Sequence, residues 1–154
     1  MQKWQSSQAH DWLTRELVSL KGDRKVTKLL CFGLGDMALM AESEKTREVQ
    51  IVKMCQHAVA ATLAEAFSPL SPDKFEAFAQ DPAYSKTSKE LLEAYDIQVI
   101  GEHGAGGFAL IDDESIVYCR YPKVPMSQII ADLARPAIII RPTMPGQLIG
   151  MLQS

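Results

Sequence analysis

A chain of 154 residues, 47% apolar and with a net charge of -3, is long enough to bury one core and has no basic field. Its mixed charges exclude nucleic-acid binding by broad phosphate neutralisation. Met1 to Ser6 lacks the apolar stretch of a signal peptide, and no apolar run reaches the roughly 18 residues of a membrane span. A soluble cytoplasmic protein is expected, with the nucleus also open to it and no membrane partner.

Ala9, Leu13, Leu17 and Leu20 recur at helical spacing after the N-cap candidate Ser7, and Gly22 offers a stop, so a first helix is expected to lie against the sheet. Leu29 to Phe32 is a continuous apolar run, as in a central parallel strand covered on both faces. A glycine turn, Gly33-Leu34-Gly35, follows it. Val52, Cys55, Val59, Leu63 and Phe67 then mark a long helix, uninterrupted by Pro or Gly from Ser43 to Ser68.

Phe75 to Gln80 alternates like a strand, although Ser71-Pro72-Asp73 also resembles a helix start. The strand reading is preferred because it delivers Asp81-Pro82 to a carboxyl end. Thr87 to Glu90 has the form of a capping box ahead of Leu91, Leu92 and Tyr95. Ile97 to Ile100 reads as a strand. The loop Gly101 to Gly107, with four glycines in seven positions, reads as mobile. Phe108 to Ile111 reads as a short strand and Ser115 to Cys119 as a main one. Met126, Ile129, Ile130 and Leu133 mark a helix opened by Pro125, Ala137 to Ile140 a last strand, and Leu148 to Leu152 an apolar tail.

Strands alternating with helices predict an α/β fold: a Rossmann-like three-layer sandwich with a mostly parallel sheet of about five strands in the order 3-2-1-4-5. Residues 1–27 are expected to form a packing helix and connection, and 28–154 a single globular unit.

Gly33-Leu34-Gly35-Asp36-Met37-Ala38 fits the pattern in which glycines bring backbone close to a pyrophosphate. Asp36 and the acidic Glu42 and Glu44 oppose an anion there. A structural or interaction turn, an adenosine-like ligand and a dinucleotide all remain open. Asp81 is placed either to bind ribose hydroxyls or to close an Asp-Pro turn, and Tyr84 to stack on a base or cover the sheet edge. With Tyr118, Arg120 and Tyr121 at the end of the fourth strand, the residues Gly33, Gly35, Asp36, Asp81, Tyr84, Tyr118 and Arg120 are expected to converge on one ligand- or partner-binding edge.

Cys31, Cys55 and Cys119 lie far apart within apolar runs and read as buried thiols in a reducing compartment, with no metal spacing. His10 and His57 read as solvent-facing or partly buried helix residues, and His103 as a loop residue near the strand ends. No nucleophile motif occurs, and no cofactor can be named.

Ordered blocks of the chain resemble the SRR-like domain family, named for reduced sensitivity to red light, and in particular its fungal branch. The blocks are Lys28 to Gly35, Ala79 to Tyr84 with Lys89 to Leu92, Ser115 to Tyr118, Pro122 to Pro125 and Gln128 to Pro136. The resemblance implies circadian-clock and light-signalling regulation as in plant and animal relatives, haem-related regulation as in an animal relative, or microtubule stability as in a yeast relative. It implies no agreed catalytic activity.

The leading expectation is a non-catalytic regulatory or interaction protein whose partner is a protein or small molecule. The alternative is a Rossmann-like binder or enzyme using a nucleotide-like cofactor. A homo-oligomer formed through the apolar tail and first helix is a third expectation.

Overall fold

The computed structural model describes residues 2–38, 43–71, 74–101, 104–120 and 126–141. The readings placed on Pro72 and Asp73, on His103, on Tyr121 to Pro125, and on the turn and apolar tail beyond Arg141 lie outside the described residues.

The strands are β1 (Lys28–Phe32), β2 (Glu76–Gln80), β3 (Ile97–Val99), β4 (Ser115–Cys119) and β5 (Ile138–Ile140). All pair in parallel, in the expected order β3-β2-β1-β4-β5. In the centre, Leu30 lies opposite Phe78 on one side and Val117 on the other. The alternating strand of Phe75 to Gln80 is thus confirmed, one residue shorter.

Helices cover both faces, which is why Leu29 to Phe32 of β1 and Ile116 to Cys119 of β4 form continuous apolar runs. The period-two pleat sends Leu29, Cys31, Ala77, Ala79, Ile116 and Tyr118 into the larger core. There they meet α2 (Gln8–Lys21), α3 (Glu44–Phe67) and α4 (Lys86–Glu93) through Leu17, Leu63, Phe67 and Leu92. Leu30, Phe32, Val117 and Cys119 point the other way, toward Ile111 and Ile130, the latter from α5 (Met126–Leu133). A short helix α1 (Gln2–Gln5), not foreseen, precedes α2. Its Trp4 donates an indole hydrogen bond to Thr62 Oγ1 at 2.8 Å.

Several local expectations are corrected. The first helix is capped by Ser7 and stopped at Gly22 as expected, but it packs chiefly on α3, and it meets the sheet's core through Leu17. Its Leu17 reaches the core while Trp12 stays exposed. The second half of α3 is therefore enclosed by α2 outside and the sheet inside, and small Ala60, Ala61 and Ala64 allow the close approach. Its first half leaves Val52 and Cys55 exposed, so Cys55 is not a buried thiol.

The expected strand at Phe108 is a 3-10 turn, Phe108–Leu110. Its donors are spent locally, Leu110 N–H on Gly107 O and Ile111 N–H on Phe108 O, while Phe108 stacks on Phe32 at 4.7 Å. The capping box expected at Thr87 is displaced, because Ser85 caps α4 by accepting from Ser88 N–H.

Candidate strand-end site

The crossovers run from β1 to β2 and β3 on one side, whereas β4 and β5 lie on the other, so the direction reverses between β1 and β4. Ligands of open parallel sheets bind outside the strand ends at such a reversal. Gly33 leaves β1 there, its N–H donating to Gln80 O, and Arg120 leaves β4, its N–H donating to Phe32 O at 3.2 Å. Gly33 and Gly35 have φ of 69° and 73°, a backbone region in which a side chain is strained. At Gly35 a Cβ would also stand 3.0 Å from Lys53 Cε, which lies across the turn.

Asp81 is buried and grips both turns. Its Oδ2 accepts from Gly35 N–H at 2.7 Å and its Oδ1 from Ala83 N–H at 2.8 Å. The carboxylate therefore acts as the turn device, with both oxygens engaged by backbone.

Asp36 turns away from the strand ends toward α4. Its Oδ1 accepts from the hydroxyls of Ser85 and Ser88, from Ser85 N–H and from Ala38 N–H. Burial pushes the Asp36 carboxyl up, but these donors outweigh it and hold the group below the ordinary carboxylate range. Ser88 Oγ in turn accepts from Met37 N–H at 3.0 Å. The acidic residue thus fastens the turn to the cap of α4, a link between residues 52 apart in sequence.

Tyr84 does not lie open at the edge. It is buried under α3, edge-on to His57 with centroids 5.8 Å apart, and burial raises its hydroxyl pKa, with smaller contributions from Cys31 and Asp81. Tyr118 belongs to the same core, its hydroxyl raised by burial and secondarily by Cys31, against the opposing charge of Arg120. Gly33, Gly35 and Asp81 are therefore brought together, Arg120 flanks them across β1, and Asp36, Tyr84 and Tyr118 serve packing and turn anchoring.

The glycine loop is fastened rather than loose where it is described. Gln80 Nε2 donates to Gly101 O at 2.6 Å and Gly104 O at 2.9 Å, while its Oε1 accepts from Gly107 N–H at 2.9 Å. A Cβ on Gly107 would run into Gln80 Oε1 and stand 2.8 Å from Phe32 Cε1.

Four contributors were not anticipated from sequence: Lys53, His57, Ser85 and Ser88. His57, expected to be solvent-facing or partly buried, is only 5% exposed. Its Nδ1 contacts Lys53 O at 2.8 Å, and burial lowers its pKa, partly offset by the Lys53 carbonyl and by Asp81 and Asp36. No local pattern marks it, since the burial comes from elements distant in sequence. Among the described residues no hydroxyl or thiol is hydrogen-bonded to His57, so no nucleophile–base pair is assembled. Nor do the described residues contain a His, Cys, Asp and Glu cluster fit for a metal ion or a helix long and apolar enough to cross a membrane.

A family model described as the SRR1 domain matches residues 7–143. No curated protein and no solved structure matches the chain.

Proposed function

The chain belongs to the SRR1 domain family, and from that premise we propose that it is a non-catalytic regulatory protein that binds a partner at its strand-end edge. The observation that carries this reading is the state of the turn amides. Gly33, Gly35, Met37 and Ala38 N–H are spent on Gln80 O, Asp81, Ser88 and Asp36 respectively. A phosphate cradle needs such donors free and a field that favours anions. Here these four donors are used and two carboxylates stand among them, which supports an interaction surface over a nucleotide-like cofactor site. Circadian or light-signalling regulation and a fungal-type branch rest on the resemblance of Lys28 to Gly35, Ala79 to Tyr84 and Gln128 to Pro136 to the family, and a cytoplasmic or nuclear place rests on the composition of Met1 to Ser6 and the shortness of the apolar runs.

The test is thermal unfolding of the purified chain with NAD, NADP or S-adenosylmethionine at millimolar concentration. No rise in melting temperature is expected, since only a ligand that binds the native state raises it. A partner recovered from the source cells should be lost on Arg120→Glu while the variant still unfolds cooperatively with an unchanged denaturant slope. Metabolite turnover that disappears in Asp81→Ala would overturn the reading in favour of an enzyme.

A further inference from the structure

His57 forms the contact between α3 and the turn that follows β2. Its ring stands edge-on to Tyr84 with centroids 5.8 Å apart, and only 5% of the residue is exposed. Nδ1 faces Lys53 O at 2.8 Å, a carbonyl that can only accept, so Nδ1 carries the proton and Nε2 is the acceptor of a neutral imidazole. Nε2 is enclosed and has no hydrogen-bond partner among the described residues. A neutral ring fits this place, whereas a charged one would be desolvated.

A second proton would go to Nε2, and its N–H would meet no acceptor. Burial is the largest influence on the group and holds it below the ordinary histidine value. The Lys53 carbonyl, Asp81 and Asp36 favour the charged ring, and the Lys53 ammonium opposes it. Tyr84, which packs on the ring from the turn, is a neutral phenol whose own titration is raised by burial. Two routes relieve a buried imidazolium, and both disturb the same turn. The ring can move out to water, which lifts it off Tyr84. Its new N–H can instead compete for Asp81, whose two oxygens already hold Gly35 N–H at 2.7 Å and Ala83 N–H at 2.8 Å.

We propose that His57 is an acid-sensitive latch: neutral, it holds α3 on the turn after β2, and protonated at Nε2 it releases that turn together with the glycine turn that Asp81 grips. The latch belongs to the chain itself and stands whether or not the strand-end edge has a partner. A folded value below the unfolded one means that the stabilisation is complete above about 6.5 and is lost as pH falls from there toward the folded value. The carboxyls of Asp36 and Asp112 are held below the ordinary carboxylate range, so they stay ionised in that window.

The experiment uses the full chain and reads two signals by magnetic resonance between pH 7 and pH 5. One is the titration of the His57 ring. The other is amide exchange, expressed as protection factors so that the intrinsic effect of pH on exchange is removed. The His57 ring should titrate below about 6.5, with Nδ1 protonated in the neutral form. Protection of Gly35 and Ala83 should fall about three-fold or more, since each unit between the folded and unfolded values changes the opening equilibrium by about ten-fold. Leu30 and Val117, in the central strands, should keep their protection. His57→Asn, whose amide can donate to Lys53 O and takes up no proton, should keep Gly35 and Ala83 protected throughout the range. Should that variant fail to fold, the two wild-type signals decide alone.

A His57 ring that titrates at or above the ordinary value would overturn the proposal, as would protection at Gly35 and Ala83 that does not change with pH. The same fall in His57→Asn would assign the effect to another group. A loss spread evenly over Leu30 and Val117 would show global destabilisation in place of a latch. None of these outcomes bears on cofactor binding, turnover or partner recovery at the strand ends, so the two readings fail separately.

Discussion

Replacing Asp81 by alanine tests the claim that one buried carboxylate holds the strand-end turn. The substitution removes the acceptor of Gly35 N–H at 2.7 Å and of Ala83 N–H at 2.8 Å. A hydrogen bond to a charged group contributes roughly 1.5–3 kcal/mol net, with the low end fitting a site water can partly reach. Gly35 is only half-buried, so its N–H can recover some hydration once the acceptor is gone. The two losses together should cost about 3 kcal/mol, which in a chain of this size lowers the melting temperature by about 6–12 °C. Asp81→Asn keeps one acceptor oxygen and turns an amide donor toward the other N–H, so it should fall between wild type and alanine. Urea unfolding with a common slope gives the free energies, and amide exchange at Gly35 locates the loss. A cost under about 1 kcal/mol for Asp81→Ala, with exchange at Gly35 unchanged, would refute the assignment, since it falls below the low end for even one such bond.

Gln80→Ala should cost about 2 kcal/mol, because three hydrogen bonds to the Gly101 to Gly107 loop vanish together, and limited proteolysis should then cut within that loop. Gly107→Ala should destabilise by about 1–3 kcal/mol in chemical unfolding, since its Cβ would collide with Gln80 and the Phe32 ring. Asp36 and Asp112 both have carboxyls held below their ordinary value, for burial raises each but hydrogen bonds outweigh it, from Ser88 and Ser85 for Asp36 and from Lys28 and Ser115 for Asp112. A depressed folded pKa means that their stabilisation is complete above the unfolded value of about 3.9 and is lost as pH falls through the folded value below it. Ser88→Ala should therefore lower the urea midpoint at pH 7, and the gap from wild type should narrow as the pH falls through the depressed folded value of Asp36, where that carboxyl takes up a proton.

Much of the architecture was legible because it is written in local patterns. A continuous apolar run such as Leu29 to Phe32 can satisfy two covered faces only in the middle of a parallel sheet. Alternation along Phe75 to Gln80 sufficed for β2, since its pleat places Ala77 and Ala79 on one face and Phe78 on the other. The helix of Glu44–Phe67 was readable for the same reason, although which turns lie buried was not. That depended on α2 docking against its outer side, a contact between helices that share no local signal. Likewise Phe108 has the composition of a strand, but stacking on Phe32 and local donors to Gly107 and Phe108 carbonyls favour a turn.

By itself, then, the sequence determined the order of the five sheet strands and of helices α2 to α5, the position of the glycine turn at the end of β1, and a net charge of -3. Periodicity and turn chemistry act over a few residues and need no knowledge of neighbours. Only the tertiary structure decided what the polar residues do. Asp36 reaches Ser88 and Asp81 reaches Gly35 across 52 and 46 residues, and that pairing turns carboxylates that resemble ligand contacts into anchors of the loop. His57 became buried only because elements distant in sequence, Tyr84 among them, pack against its helix α3, and burial is a property of the assembled fold that no stretch of chain carries alone.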